Sequence, residues 1–240
     1  MRAGWGIVFA AALLGSLALA PPAPASRVSA PEQVLRYAGG AGEVNRVQVT
    51  FELTPVMNDF TGRATVTDSV PIAVGLGCAH PSPAETRTAV CTVYLGEELP
   101  VLDLGDRNDS LTARGDARPY VLDGPGDDTV TARSSAVWAN GPGRDTFHGG
   151  PDRDEVRRPH GFGNDVIYTN GGADLVYAGA GADSVHGGAG DDALYGDAGD
   201  DRIYGDSGRD HVVGGAGRDT MFGGPGADVI DGRPRNLFRG

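Results

Sequence analysis

The sequence predicts an all-β protein, and two patterns in the chain support this. Residues 104–231 repeat a nine-residue unit that contains several glycines and one position that is always apolar. Residues 45–53, 63–78 and 86–95 alternate apolar and polar side chains and are rich in Val and Thr. A short apolar peak between glycine turns indicates a very short strand, and alternation over several residues indicates a half-buried strand.

The repeat is clearest at its end, where five units follow one another without interruption from residue 187 to residue 231. They read GGAGDDALY, GDAGDDRIY, GDSGRDHVV, GGAGRDTMF and GGPGADVID. The register extends back to residue 104, with an insertion of Arg158 and Pro159 and degenerate stretches at 113–122 and 132–139. About fourteen units result, and this is the signature of a repeat architecture.

Each position of the unit has a physical reason. The apolar residue at position 8 has polar or small neighbours on both sides, which describes a three-residue strand with one inward side chain. The glycines at positions 1, 2 and 4 permit a positive φ and a close approach of backbones. Such a turn directs carbonyl oxygens and the position-6 carboxylate to a common point, and hard oxygen ligands of this kind select Ca²⁺.

The position-6 aspartates are therefore the predicted calcium ligands. The predicted set is Asp128, Asp145, Asp165, Asp174, Asp183, Asp192, Asp201, Asp210, Asp219 and Asp228. A glycine-rich disordered linker is the alternative, but a linker has no reason to keep an apolar residue at position 8 of every unit.

The unit resembles the haemolysin-type, or RTX, calcium-binding nonapeptide GGxGxDxUx, where U is a large apolar residue. The resemblance implies a right-handed parallel β-roll in which two units form one turn and calcium ions lie between turns. It also implies that aspartates two units apart share an ion, as Asp165 would with Asp183 and Asp174 with Asp192. About six ions and no other cofactor are expected on this scheme.

Residues 26–103 are predicted to form a small antiparallel β cap before the roll at 104–231. Cys78 and Cys91 lie in a segment that reads as strand, turn and strand, so a disulfide closing a hairpin is expected, with two free thiols as the alternative. The Cys-to-Cys hairpin followed by repeats also resembles secreted calcium-binding proteins of actinobacteria. Residues 232–240 form a short tail, in which Leu237 and Phe238 are candidates for covering the last turn.

The start of the chain is predicted to be a signal peptide at residues 1–25. Arg2 precedes an apolar run from Trp5 to Ala20, and a small-residue pattern ends at Ala25. An uncleaved anchor is the alternative, although the run is shorter than the roughly 20 residues of a membrane span. The expected location is extracellular, without stable membrane insertion.

The charge of the chain limits the classes of partner that it can bind. The net charge is -12, the chain has no lysine, and all of the net charge lies within residues 104–231. This balance excludes a basic nucleic-acid binder. It also favours calcium-driven folding, because close carboxylates repel one another until a cation neutralises them, and so few apolar side chains cannot offset the cost of ordering the repeats.

The sequence predicts a protein that is not an enzyme, since it contains no HExxH, GxSxG or Walker-type motif and no pairing of Cys with His. The alternative function is a surface adhesin or carbohydrate-binding module that uses the outer face of the roll. Its candidate residues are the position-9 tyrosines Tyr168, Tyr177, Tyr195 and Tyr204. Association of the roll end to end, through an open last turn, is a further expectation.

Overall fold

The computed structural model describes residues 27–29, 35–56, 59–71, 73–74, 77–95, 99–157, 162–232 and 237–239. All regular secondary structure in these ranges is β-strand, so the all-β prediction is confirmed. No helix in the described part of the chain is long and apolar enough to cross a membrane. The predicted signal peptide lies outside the described residues.

The strands form two sheets, which we call sheet A and sheet B. Sheet A has 11 described strands: β1 (Arg27–Ser29), β2 (Arg36–Ala38), β5 (Ala73–Val74), β8 (Val101–Asp103), β10 (Tyr120–Leu122), β12 (Val137–Ala139), β14 (Glu155–Arg157), β16 (Leu175–Ala180), β18 (Ala193–Ala198), β20 (His211–Val213) and β22 (Val229–Asp231). Sheet B has 12: β3 (Arg46–Val56), β4 (Asp59–Thr67), β6 (Cys78–Ala79), β7 (Thr88–Leu95), β9 (Ser110–Arg114), β11 (Thr129–Ala132), β13 (Thr146–His148), β15 (Val166–Tyr168), β17 (Ser184–Ala189), β19 (Arg202–Ser207), β21 (Thr220–Phe222) and β23 (Leu237–Arg239).

From β8 onwards the chain alternates between the two sheets, and each strand pairs in parallel with the strand two places further on. The register brings equal positions of the repeat together, so that Val176 pairs with Leu194 and Val185 pairs with Ile203. These position-8 side chains are fully buried between the sheets. The result is a β-solenoid of about seven turns, with two repeat units in each turn, as predicted for a β-roll.

The N-terminal strands continue the roll and also extend it with antiparallel pairs. β2 pairs in parallel with β8, and β3 pairs in parallel with β9, so both sheets run without a break past residue 104. Beyond β3, the strands β4 and β7 add antiparallel pairs to sheet B. At the other end of the sheet, β23 in the tail pairs in parallel with β21 and aligns Phe238 with Met221.

The predicted disulfide is confirmed. Cys78 and Cys91 are directly opposite each other in the antiparallel pair of β6 and β7 and are joined by a disulfide bond, and no free cysteine occurs in the described chain. Cys91 is completely buried among the residues of the core. The bond therefore links the outermost strand of sheet B to its neighbour.

The interior of the described chain holds more large buried side chains before residue 150 than in the later turns. Leu35, Tyr37 and Phe51 are buried there, and Trp138 stacks on Phe147 with ring centroids 5.1 Å apart. In the later turns the interior receives mainly the position-8 side chain of each unit, such as Val212. Apolar burial is the dominant stabilising term in folding, so the N-terminal turns have the larger share of it.

Candidate metal centre

Two rows of turns connect the sheets. We call the turns that lead from sheet A to sheet B the first edge, and those that lead from sheet B to sheet A the second edge. Most of these turns end at a position-6 aspartate, immediately before the next strand. The stacking of the turns explains glycine at position 4 of the later units. Gly199 has a φ of 146°, and a Cβ atom on it would collide with the carbonyl oxygen of Gly181 in the preceding turn.

The position-6 aspartates of the first edge form a continuous hydrogen-bonded ladder. In each rung the backbone N–H of one aspartate donates to Oδ1 of the aspartate in the next turn. The rungs, with N to O distances, are Asp109 to Asp128 at 2.6 Å, Asp128 to Asp145 at 2.9 Å, Asp145 to Asp165 at 2.9 Å, Asp165 to Asp183 at 2.8 Å, Asp183 to Asp201 at 2.9 Å and Asp201 to Asp219 at 3.1 Å.

The second edge carries a shorter ladder of the same kind. It begins at the N–H of Ala136, which donates to Asp154, because the turn before β12 has no position-6 aspartate. The following rungs are Asp154 to Asp174 at 2.7 Å, Asp174 to Asp192 at 2.8 Å, Asp192 to Asp210 at 3.0 Å and Asp210 to Asp228 at 3.0 Å. The structure thus brings together the aspartates that the resemblance placed two units apart.

The second carboxylate oxygen lacks a donor in several of these aspartates, although Oδ2 of Asp154 accepts a hydrogen bond from Gly150 and Oδ2 of Asp165 accepts one from Asn140. Oδ2 is buried without a hydrogen-bond partner in Asp128, Asp145, Asp192, Asp201 and Asp210. An unpaired charged oxygen that is shielded from water is strongly unfavourable. The arrangement therefore requires either a proton or a cation next to this oxygen.

The position-1 glycines show where a cation fits. A Cβ atom on Gly205 would lie 2.5 Å from Oδ2 of Asp210 and 2.6 Å from the carbonyl oxygen of Gly223 in the next turn. A Cβ atom on Gly196 would meet Oδ2 of Asp201 and the carbonyl oxygen of Gly214 in the same way. Glycine therefore leaves a gap lined by one carboxylate oxygen and one carbonyl oxygen, which is the donor set that Ca²⁺ prefers.

Burial raises the pKa of most of these carboxyl groups. The pKa is raised to about 7 for Asp128, Asp145, Asp154 and Asp201 and to about 6 for Asp109, Asp174 and Asp192. Desolvation is the largest cause in every case. A cation would reverse this effect, because an opposite charge within a few ångströms favours the ionised form.

Nine of the ten predicted ligands are buried, and Asp228, in the last turn, is half-buried. The ladders also contain Asp109 and Asp154, which have the same position in the units that begin at residues 104 and 149.

Sequence reasoning missed a further turn of the first edge at residues 39–45. Its backbone N–H at Asn45 donates to Oδ1 of Asp109, so Asn45 takes the place of a position-6 aspartate. Nδ2 of Asn45 donates to the carbonyl oxygen of Leu104 at 2.8 Å, the type of oxygen that faces the gap in the later turns. The letters GGAG at 39–42, which recur at 187 and 214, could have identified this turn.

The residue before position 6 forms a second, outer ladder that runs in the opposite direction. Asp191 accepts a hydrogen bond from the backbone N–H of Arg209 in the next turn at 2.9 Å, whereas its neighbour Asp192 accepts one from Asp174 in the preceding turn. Asp200 accepts from Arg218 in the same way at 2.8 Å. A pair of adjacent aspartates therefore links its turn to both neighbours.

Asp123, which was not predicted as a ligand, lies beside two of the predicted ligands, Asp128 and Asp145. One oxygen from each of Asp123, Asp128 and Asp145 lies within 4.8 Å of the others, and all three residues are buried. Asp123 occupies position 1, where the later units have glycine. Burial and the two neighbouring carboxylates raise the pKa of Asp123 to about 8.

Aromatic side chains form stacks on both outer faces of the roll. On sheet B, His148, Tyr168, His186, Tyr204 and Phe222 stack with centroid separations between 4.4 and 5.3 Å. On sheet A, Tyr177 stacks on Tyr195 at 4.8 Å. The rings of each stack therefore cover part of one another's faces, as parallel aromatic pairs do.

Comparison with known proteins identifies the repeats. Residues 161–185, 177–212 and 204–233 match the family model of the RTX calcium-binding nonapeptide repeat (4 copies). The matched region contains every position-6 aspartate from Asp165 to Asp228. No curated protein matches the chain.

Proposed function

Because the chain carries RTX calcium-binding nonapeptide repeats, we propose that Ca²⁺ drives the folding of residues 162–232 and that the protein acts outside the cell as a calcium-dependent structural or interaction protein. The proposed ligands are the position-6 aspartates from Asp165 to Asp228, together with carbonyl oxygens of the turns. These aspartates form three pairs in adjacent turns of the first edge and three in adjacent turns of the second edge, which corresponds to about six ions. Asp128 and Asp145 remain predicted ligands outside the matched repeats.

One observation carries this proposal: the buried Oδ2 of Asp192, Asp201 and Asp210 has no hydrogen-bond donor. Oδ1 of the same carboxylates is already used by the ladder, so the fold itself does not satisfy the second oxygen. When Ca²⁺ is bound it supplies the missing positive charge. The chain's own residues hold two turns in register, exclude water from the carboxylates and leave the glycine gap open.

The stacked aspartates also explain how binding would be coupled to folding. Adjacent turns hold their carboxylates close together, and the interior of the repeats receives few apolar side chains. At neutral pH the repulsion and the lost chain entropy are offset when an ion binds the folded state and not the unfolded one. Millimolar extracellular calcium would then order the repeats after export, and affinities of about 10⁻⁴ to 10⁻³ M are typical of extracellular calcium modules.

Far-ultraviolet circular dichroism during a Ca²⁺ titration tests the proposal, with Mg²⁺ as the control. We expect a cooperative gain of β signal with Ca²⁺ and little change with Mg²⁺, since Mg²⁺ dehydrates reluctantly and demands octahedral geometry. A spectrum that is equally rich in β-structure with and without Ca²⁺ would sink the folding part of the proposal. Equilibrium dialysis with ⁴⁵Ca²⁺ then separates binding from folding.

A further inference from the structure

The cluster of Asp123, Asp128 and Asp145 differs from the turns of the matched repeats. In those repeats position 1 is mostly glycine, and a Cβ atom there would point at Oδ2 of the position-6 aspartate in the same turn, as Gly205 shows for Asp210. Asp123 places a carboxylate at this position, in the same unit as Asp128. The gap therefore contains a side-chain oxygen in addition to the position-6 oxygens.

Neutral groups hold the cluster in place. Trp138 donates from Nε1 to Oδ2 of Asp123 at 2.7 Å, and the backbone N–H of Gly141 donates to Oδ1 of Asp123 at 2.6 Å. Oδ1 of Asp128 and Oδ1 of Asp145 accept the ladder hydrogen bonds from backbone N–H groups. These donors orient the three carboxylates, but none of them carries a positive charge.

Three buried oxygens in this region have no hydrogen-bond partner. They are Oδ2 of Asp128, Oδ2 of Asp145 and Oδ1 of Asn140. Asn140 follows β12 directly and is the position-1 residue of the next turn above Asp123, and each of these side chains belongs to a residue that is at most 1% exposed. Three such oxygens close to carboxylates provide ligands that a cation can use, whereas an isolated buried oxygen of this kind is unfavourable.

We propose that Asp123, Asp128 and Asp145 bind a hard divalent cation of the calcium class at a separate site outside the matched repeats. Three carboxylates favour Ca²⁺ over Mg²⁺, which is usually bound by one or two carboxylates and retains several waters. The charge count exceeds that of the aspartate pairs in the repeats, and Asp123 is hydrogen-bonded to Trp138, whose ring stacks on Phe147. A higher ligand charge in a rigid setting lowers the dissociation constant, so this site fills before the repeats do.

Trp138 makes the site directly observable. The chain has two tryptophans, Trp5 and Trp138, so a Trp5→Phe background leaves Trp138 as the single tryptophan. Terbium(III), a luminescent substitute for Ca²⁺, emits when an excited tryptophan lies close to it. Excitation at the red edge of the tryptophan band therefore reports an ion near Trp138. Excitation at shorter wavelength also excites the tyrosines, and the emission that it adds, called tyrosine-excited here, reports ions along the repeats.

The test titrates Tb³⁺ into the Trp5→Phe protein and displaces it with Ca²⁺. We expect saturable Trp138-excited emission at lower Tb³⁺ than the tyrosine-excited emission. Asp123→Asn should weaken the Trp138-excited binding by about tenfold, since it removes one of three carboxylate ligands. The matched control is Asp127→Asn, which makes the same change of charge in the same turn at an exposed residue whose carboxylate accepts a hydrogen bond from Arg144.

The outcomes separate this site from the repeats. Tyrosine-excited emission without Trp138-excited emission would overturn the separate site and leave the calcium-binding repeats in place. Equal affinities of the Asp123→Asn and Asp127→Asn variants would also overturn it. Red-shifted fluorescence of the Asp123→Asn variant would show that the substitution exposes Trp138 and disturbs the fold. In that case the test rests on the Trp5→Phe protein with Asp123 intact. Ca²⁺ must then displace the Trp138-excited terbium emission, and failure to do so contradicts the proposal.

Discussion

At the scale of single residues, the two aspartates of an Asp-Asp pair differ in burial and in hydrogen bonding. Asp201 is buried, its Oδ1 accepts a hydrogen bond from Asp183, and its Oδ2 has no donor. Asp200 is exposed and accepts a hydrogen bond from Arg218 in the next turn. Two chemically identical neighbours therefore lie in opposite environments, and only the inner one is suited to holding a cation.

This difference predicts unequal effects of two matched substitutions. Asp201→Asn should raise the Ca²⁺ concentration at the midpoint of the circular dichroism transition by about tenfold, because the site loses a charged ligand. Asp200→Asn removes the same charge but keeps a carbonyl oxygen that can accept from Arg218, so its midpoint should move by less than about twofold, as for an exposed pair. Equal shifts in the two variants would show that general charge, and not the inner carboxylate, sets the affinity.

At the scale of elements, the N-terminal and C-terminal turns of the roll are stabilised differently. The N-terminal turns have the antiparallel strands β3, β4 and β7, the Cys78–Cys91 disulfide and the stacked pair of Trp138 and Phe147. Nδ2 of Asn45 donates a hydrogen bond to the carbonyl oxygen of Leu104. In the repeats the corresponding carbonyl oxygen lines the gap in which we place the cation, so here a side-chain N–H takes the position of the cation. The later turns contain only short parallel strands around one row of inward side chains per sheet.

We therefore expect the two parts to respond differently to removal of calcium. Amide hydrogen exchange in chelator should be fast for residues 162–232 and at least about tenfold slower for β3, β4 and β7, since exchange follows the local free energy of opening. Added Ca²⁺ should slow exchange mainly in residues 162–232. Uniform exchange along the chain in chelator would contradict a folded N-terminal end and indicate a single cooperative unit.

At the scale of the whole molecule, the buried carboxylates make the stability of the calcium-free roll depend on pH. Folding raises the pKa of Asp128, Asp145, Asp154 and Asp201 to about 7, whereas an unfolded Asp has a pKa near 3.9. The folded state thus binds more protons between these values, and its stability falls as pH rises through this window. Glu155 acts in the opposite direction, because Arg157 lowers its pKa, but it is one group against several.

Thermal unfolding of calcium-depleted protein should show this dependence. The expected midpoint temperature is higher at pH 5 than at pH 8, because the position-6 carboxyl groups are protonated only at the lower value. Saturating Ca²⁺ should remove most of the difference and release protons on binding at pH 6, since the ion replaces them. A calcium-free midpoint that is equal or higher at pH 8 would mean that the carboxylates are not buried as the ladders require.

The nine-residue period determined much of this protein by itself. An apolar residue at position 8, as in Leu194 or Ile203, can be buried only if every unit contributes a strand to one continuous interior, so the period specifies stacked strands. The resemblance to the RTX nonapeptide, in which two units form one turn, implied that Asp165, Asp183 and Asp201 lie on one edge. The spacing of Cys78 and Cys91 in a hairpin likewise predicted their bond. These features are local and periodic, so they are visible in the letters.

Other features depend on contacts between residues far apart in the chain, and only the tertiary structure decided them. The parallel pairing of β2 with β8 and of β3 with β9 makes the N-terminal strands part of the roll, although their own letters indicate simple alternating strands. Asn45 joins the aspartate ladder through Asp109, 64 residues away. Asp123 meets Asp128 and Asp145 because a degenerate unit places a carboxylate where glycine is usual. These contacts arise because turns stack on one another. Where a unit departs from the nine-residue period, the period does not show which residues of neighbouring turns will meet.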